Sequence, residues 1–238
     1  EGIDLGVLAQ TLERHPVKAV WCMTNFQNPV GASMPEDKKK QLVELLSVHQ
    51  VPLIEDDVYG EIHFTRERPK PFIALDGGGN TIYCSSFSKS LAPGYRIGWI
   101  VPGAFAQQVL DRKLALSLCG PVLPQIAIAE FLASGAYDTH MRRLRRLLEE
   151  NLLRLTRTIE ASFPAETRVS RPAGGFALWV ELPRGLDSRA LFDEALEHGI
   201  CFAPGDVFSA SRRFRNCLRL SAGSTWSERI DKGVRRLG

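Results

Sequence analysis

The chain has 238 residues, 44% of them hydrophobic and 24% charged, with a formal net charge of +3 at pH 7. That length suits one large α/β unit or two unequal lobes, the apolar fraction is enough to fill a core, and the charge is too small to argue by itself for a nucleic-acid ligand. The five scattered cysteines form no C-x-x-C pair, the five histidines show no metal-ligand spacing, and no apolar run approaches the roughly 18 residues of a membrane span, so the composition points to reduced thiols, no metal and a cytoplasmic protein.

In chain order, Glu1-Gly2-Ile3-Asp4 carries no basic-then-apolar leader and reads as the interior of a longer protein. Short apolar runs predict strands over Val17 to Met23, Val51 to Glu55, Thr81 to Ser85 and Ile97 to Val101. Between the first two, Ser33-Met34-Pro35-Glu36 has capping-box spacing, and Leu42, Leu45 and Leu46 continue an apolar stripe, which predicts a helix from Pro35 to His49. Strands alternating with helical periodicity are the pattern of crossover units on a mostly parallel sheet.

After Gly120 helices dominate, with one expected from Leu123 to Ser134 and a long one from Asp138 to Ser162. Phe176 to Leu182 reads as a strand, Ser188 to His198 as a helix, Cys217 to Ser221 as a strand and Trp226 to Leu237 as a closing helix. The change of texture predicts an α/β part over residues 1–122 and a smaller α+β lobe over residues 123–238, bridged by the long helix.

The stretch from Ser85 to Trp99 crowds hydroxyls, Lys89 and Arg96 at a strand end, where open α/β sheets bind ligands. Serine hydroxyls and a guanidinium fork match phosphate oxygens. An ordinary lysine amine titrates near pH 10.4, so a lysine that bonds a carbonyl needs a site favouring its neutral or bonded form. Taken alone, the same stretch is also compatible with a solvated lysine in a polar loop.

Four motifs in order carry a more specific meaning. Ser86-Phe87-Ser88-Lys89 with Arg96 downstream resembles the lysine motif of fold-type-I pyridoxal-phosphate enzymes, the aminotransferase superfamily. Asn28-Pro29-Val30-Gly31 is similar to the family's N-P-x-G turn, Asp56-Asp57-Val58-Tyr59 to its D-x-x-Y motif, and Cys217-Leu218-Arg219-Leu220-Ser221 to its carboxylate-binding strand. The flanking words look most like the effector domain of MocR-type regulators of the GntR family, in which a winged helix-turn-helix precedes an aminotransferase-like domain. Aminoadipate-type aminotransferases share much of the wording.

The resemblance implies a partial fold-type-I transferase fold, with a truncated, mostly parallel sheet domain and the smaller C-terminal lobe. It implies pyridoxal 5'-phosphate as an aldimine on Lys89, with Asp56 at the pyridine nitrogen and Asn28 and Tyr59 on the ring hydroxyl. Ser86, Ser88 and Arg96 would hold the phosphate, and Arg219 the α-carboxylate of an amino-acid or amine ligand. Asp57 is expected to point away from Asp56.

Two functions need that same site, effector sensing by a dimeric transcription regulator and transamination by a class I/II aminotransferase. DNA contact is expected only through a domain outside this chain. Arg142, Arg143, Arg145, Arg146, Arg154 and Arg157 lie on the leucine-bearing helix with acids nearby and read as a solvated face. The family's phosphate-binding helix N-terminus and ring-stacking aromatic fall before residue 1, so the chain alone is expected to bind cofactor weakly or not at all and to be inactive. A sheet lacking those strands would expose edges that favour pairing.

Overall fold

The computed structural model describes residues 2–77 and 79–238. Two compact units result, one of residues 1–27 and 32–144 and the other of residues 28–31 and 145–238.

In the first unit, Asp4 caps α1 (Leu5–Arg14) by accepting the Val7 N–H at 3.0 Å, and the helix stops at His15, just before Pro16. Then follow β1 (Val20–Cys22), α2 (Glu36–Val48), β2 (Leu53–Asp56), β3 (Thr81–Ser86), β4 (Gly98–Val101), α3 (Ala106–Ser117) and α4 (Val122–Ala133). β1, β2 and β3 are parallel neighbours, and β4 runs antiparallel to β3. Leu8, Leu12, Val20, Leu42, Leu46, Leu53 and Phe72 form its apolar core.

The expected capping box is a correction. Pro35 occupies the N-cap of α2 without a side-chain bond, and the Ser33 hydroxyl instead accepts the Phe26 N–H at 3.1 Å. Glu36 stays in the first helical turn and pairs with Lys40 and Lys70. Two α-helices of this unit went unexpected, α1 and α3, and none of the residues of α3 is buried.

The chain passes into the second unit within α5 (Ala136–Ser162). Leu148, Leu152, Leu155 and Ile159 of that helix recur at helical spacing and are buried. β5 (Arg168–Val169), β6 (Ala177–Glu181), α6 (Ser188–Glu197), β7 (Ala203–Pro204), β8 (Cys217–Ser221) and α7 (Glu228–Leu237) complete it. The sheet order is β5-β6-β8-β7, every pair antiparallel. Period-two alternation buries Leu178, Val180, Leu218 and Leu220 and leaves Trp179 opposite Arg219 half-buried. The arginines of α5 at 142, 143, 146, 154 and 157 are exposed, as a solvated face requires, whereas Arg145 is half-buried. Among the described residues no helix is long and apolar enough to cross a membrane, and no cluster of side chains could hold a metal ion.

Candidate functional site

The C-terminal ends of the parallel strands β2 and β3 lie side by side, Asp56 aligned with Cys84, and both strands discharge polar residues there. Asp56 is half-buried, and its Oδ1 accepts the Val58 N–H at 3.4 Å. Burial pushes its carboxyl above the ordinary value, the Val58 N–H opposes this, and the Lys89 ammonium is close enough to oppose it too. Tyr59 is 6% exposed, in the turn after β2.

β3 and β4 form a hairpin whose loop carries Lys89 and Arg96. The Phe87 N–H donates to Ile97 O at 3.0 Å, and the Leu91 and Ala92 N–H groups both return to Phe87 O, so the lysine sits at the tip of a closed turn. Phe87 packs on Trp99 and Tyr137 at centroid distances of 4.7 and 6.1 Å. His140 Nε2 donates to Ser90 O at 2.7 Å, since a carbonyl can only accept. The lysine side chain is exposed while its base is held.

Ser86 Oγ accepts the Ser88 N–H at 3.1 Å, and Arg96 Nη1 donates to Ser88 Oγ at 3.2 Å. Arg96 itself has a left-handed backbone, φ 54°, which bends the chain so that the guanidinium lies back over the loop. Two hydroxyls and one guanidinium make a donor set suited to a phosphate dianion.

Asn28 and Arg219 both belong to the second unit. Arg219 Nη1 donates to Asn28 Oδ1 at 2.7 Å, and its guanidinium lies 5.1 Å from the Phe208 ring. Gly31 closes the Asn28–Gly31 turn with φ +72°, and a Cβ there would come within 2.7 Å of Pro172. Only glycine fits that approach. One nitrogen-bearing edge of Arg219 is thus fixed by an uncharged partner, which leaves its charge available for an anion.

Motif reasoning missed the polar network beneath these strand ends. Asp57 is buried, accepting from Asn25 Nδ2 at 2.9 Å, Arg68 Nη2 at 2.6 Å and Tyr83 OH at 3.1 Å. Lys39 Nζ, within α2, donates to Asn25 Oδ1 at 2.7 Å and Lys70 O at 2.6 Å. Glu55 accepts from the Thr24 hydroxyl and the Phe72 N–H. Such partners come from distant segments, and the sequence signal for them is weak.

Against known proteins, the model of the family "Aminotransferase class I and II" matches residues 1–237. The chain belongs to that family. It is 42% identical over its whole length to the uncharacterized HTH-type transcriptional regulator YdcR of Escherichia coli, of which it spans 51%. It is 36% identical over its whole length to the 2-aminoadipate transaminase of Thermus thermophilus, spanning 61% of that protein. The crystal structure of LysN, an α-aminoadipate aminotransferase from Thermus thermophilus complexed with N-(5'-phosphopyridoxyl)-L-leucine, superposes with a TM-score of 0.92 at 34% identity, covering all of this chain and 62% of that one. The chain therefore spans about half to three fifths of the length of these relatives. The expected fold class and the likeness to MocR-type regulators accord with these matches, and family members of both kinds, regulators and aminotransferases, are among them.

Proposed function

We propose that the chain is the cofactor-carrying, effector-sensing domain of a MocR-type transcription regulator, with pyridoxal phosphate attached at Lys89. The observation that supports it most is the arrangement at the ends of the neighbouring strands β2 and β3, where Asp56 closes one strand and the loop leaving the other carries Lys89 together with the hydrogen-bonded Ser86, Ser88 and Arg96. Those donors fit a phosphate, and a half-buried carboxylate fits a pyridinium nitrogen. The regulator reading is favoured by the whole-chain likeness to YdcR.

When bound, pyridoxal phosphate supplies an aldehyde for amines and a protonated ring that draws electrons from the substrate carbon. Asp56 would keep the ring nitrogen protonated. Ser86, Ser88 and Arg96 would hold the phosphate, and by the family's motifs Tyr59 and Asn28 are the residues that would serve the ring hydroxyl. Arg219, whose planar fork suits a carboxylate, would take that of an amino-acid ligand. Lys89 Nζ would hold the cofactor, at the place for which a ligand amine would compete. That competition is the event a regulator reports, through a change in how paired DNA-binding domains outside this chain are presented in a homodimer. The division into a large-domain part, residues 1–122, and a small lobe with its bridging helix, residues 123–238, belongs to the same proposal, the compact-unit boundary lying further along in α5.

A second reading, transamination, is favoured by the likeness to 2-aminoadipate transaminase and LysN. Lys89 then also moves the substrate α-proton as a general base. The deciding experiment loads the complete gene product that contains this chain with pyridoxal phosphate and follows visible absorbance. The band of lysine-bound cofactor is expected, and its survival in Lys89→Ala would sink the assignment. Amino acids that change the band and the mobility of a DNA complex without turnover support the sensor, whereas steady conversion of a 2-oxo acid supports the enzyme. Titrated by itself, the chain is expected to bind more weakly than the complete gene product by roughly two to six orders of magnitude, the equivalent of two or three charge-assisted bonds at about 1.5 to 3 kcal/mol each.

A further inference from the structure

Arg68, on the segment between β2 and β3, takes no part in the proposed chemistry, yet it reaches both sides of the turn that does. Its Nη2 donates to Asp57 Oδ2 at 2.6 Å and to Tyr83 OH at 2.8 Å, and its Nη1 pairs with Glu61 Oε1 at 2.7 Å. Asp57 and Glu61 stand two residues to either side of Tyr59. The turn between them closes through the Gly60 N–H on Asp57 O at 3.2 Å and the Ile62 N–H on Tyr59 O at 2.8 Å. One guanidinium thus spans the turn from end to end.

The anchor it grips is itself immobilised. The Asp57 side chain is 0% exposed, its N–H donates to Cys84 O at 2.9 Å, and Ser85 Oγ donates to its carbonyl at 3.1 Å. A Cβ on Gly60 would lie 2.2 Å from Asp57 Oδ2, so the turn is wrapped directly around that carboxylate. Asp57 is chemically the neighbour of Asp56 and spatially the partner of Arg68. A planar fork with several donors can bridge two carboxylates, whereas an ammonium is a single point charge.

We propose that Arg68 is a positioning residue that, by bridging Asp57 and Glu61, fixes the turn presenting Asp56 and Tyr59 to the cofactor. The inference rests on the function proposed above. Arg68 does not touch the cofactor; it acts through the two carboxylates and the backbone between them.

The test is a pH titration of visible absorbance in the complete gene product loaded with pyridoxal phosphate, with thermal melting alongside. A hydroxyl donated to the ring oxygen favours the negative charge left there when the lysine-bound cofactor loses its proton, so Tyr59→Phe raises the titration midpoint. Arg68→Met should raise it in the same direction by roughly half to one pH unit, the equivalent of one weakened hydrogen bond. Arg68→Lys, keeping charge but not the bridge, should fall between. In the double variant Tyr59→Phe with Arg68→Met, the midpoint should not move beyond that of Tyr59→Phe alone, because both changes remove one interaction. A merely structural arginine would lower the melting temperature and leave the midpoint in place. If Arg68→Met does not fold, Glu61→Gln cuts one arm while Asp57 keeps its partner, and a smaller rise is expected. An unchanged midpoint in Arg68→Met, or in Glu61→Gln where that variant carries the test, while Tyr59→Phe shifts, overturns the positioning role and leaves the proposed function standing. Absence of any lysine-dependent band overturns both.

Discussion

In the first unit Lys39, Glu55 and Asp57 are 2%, 0% and 1% exposed, whereas in the second the buried polar residues among those described are Thr158 and Ser188. The second unit keeps its ion pairs outside, as between Arg171 and Glu160 or Lys232 and Glu228. Burying a charge costs several kcal/mol unless its partners replace water fully, and well-packed apolar residues would do as well or better for stability. The first unit accepts that cost directly beneath the strand ends that carry Asp56 and the Lys89 hairpin. The second builds an ordinary apolar interior from Leu178, Val180, Leu218 and Leu220 and presents Arg219, held by Asn28. Buried charge therefore marks the place where side-chain position matters most, and the contrast can be tested in each unit separately.

The largest expected effect is at Lys39. Lys39→Met preserves the length of the side chain but leaves Asn25 Oδ1 and Lys70 O without their donor and takes the cation away from Glu55 and Asp57. Removing one member of a buried charged network costs about 3 to 5 kcal/mol. Denaturant unfolding should read that loss. A change under about 1 kcal/mol would mean that the network is already hydrated, and the contrast between the units would lose its basis.

Lys39 also shows where sequence reasoning stopped. It lies in Lys38-Lys39-Lys40, a run that reads as the solvated side of α2, and its burial follows only from Asn25 and the Lys70 carbonyl folding onto it. Arg68 was invisible for the same reason, since its partners Asp57, Glu61 and Tyr83 share no local pattern with it. The candidate site residues stood out because each motif is a contiguous word, those of Asp56 and Lys89 at the ends of β2 and β3 and that of Arg219 within β8. The main strands and helices were legible through alternation and leucine spacing. α1 could have been found from Asp4 ahead of Leu5, Leu8 and Leu12, a cap before an apolar stripe. α3 buries none of its residues, so no amphipathic stripe announces it. The Ser33 box failed because a hydroxyl that can cap a helix can equally accept a loop N–H, and Phe26 claims it.

An intermediate effect is expected from pH. Burial, with the Asp57 charge adding to it, pushes the Glu55 carboxyl up to about 7, against the Phe72 N–H and Thr24 hydroxyl that favour its anion. The folded state thus holds this proton more tightly than the unfolded chain, whose glutamates titrate near 4.3. The unfolded state releases the proton first, so stability falls as pH rises through the window from about 4.3 to about 7 and is level above it, a loss on the order of 3 kcal/mol. Glu55→Gln should flatten that slope, since the amide oxygen can accept the Phe72 N–H while its NH₂ donates to the Thr24 hydroxyl. Melting curves at pH 5 and pH 8 for both proteins decide it. An equal slope in Glu55→Gln would assign the pH dependence to other groups.

The smallest effect belongs to the second unit. Lys232 and Glu228 meet at 2.8 Å one turn apart on α7, with side chains 74% and 81% exposed. An exposed pair of this kind gains little Coulomb energy in water, loses rotamer freedom in both side chains and is screened by salt. The helix has stronger local support. Ser227 caps it by accepting the Ile230 N–H, Glu228 and Asp231 lie at its N-terminal end, and Arg235 and Arg236 lie in its last turn, all favourable to the helix dipole. Val234 and Leu237 bury its inner side. Lys232→Ala removes the pair and puts in a better helix former, two small effects of opposite sign. The melting temperature should stay within about 1 °C of the parent at any salt concentration. A salt-sensitive drop of several degrees would show that surface charge in this unit contributes as much as buried charge does in the other, and that the distinction between them lies in location alone.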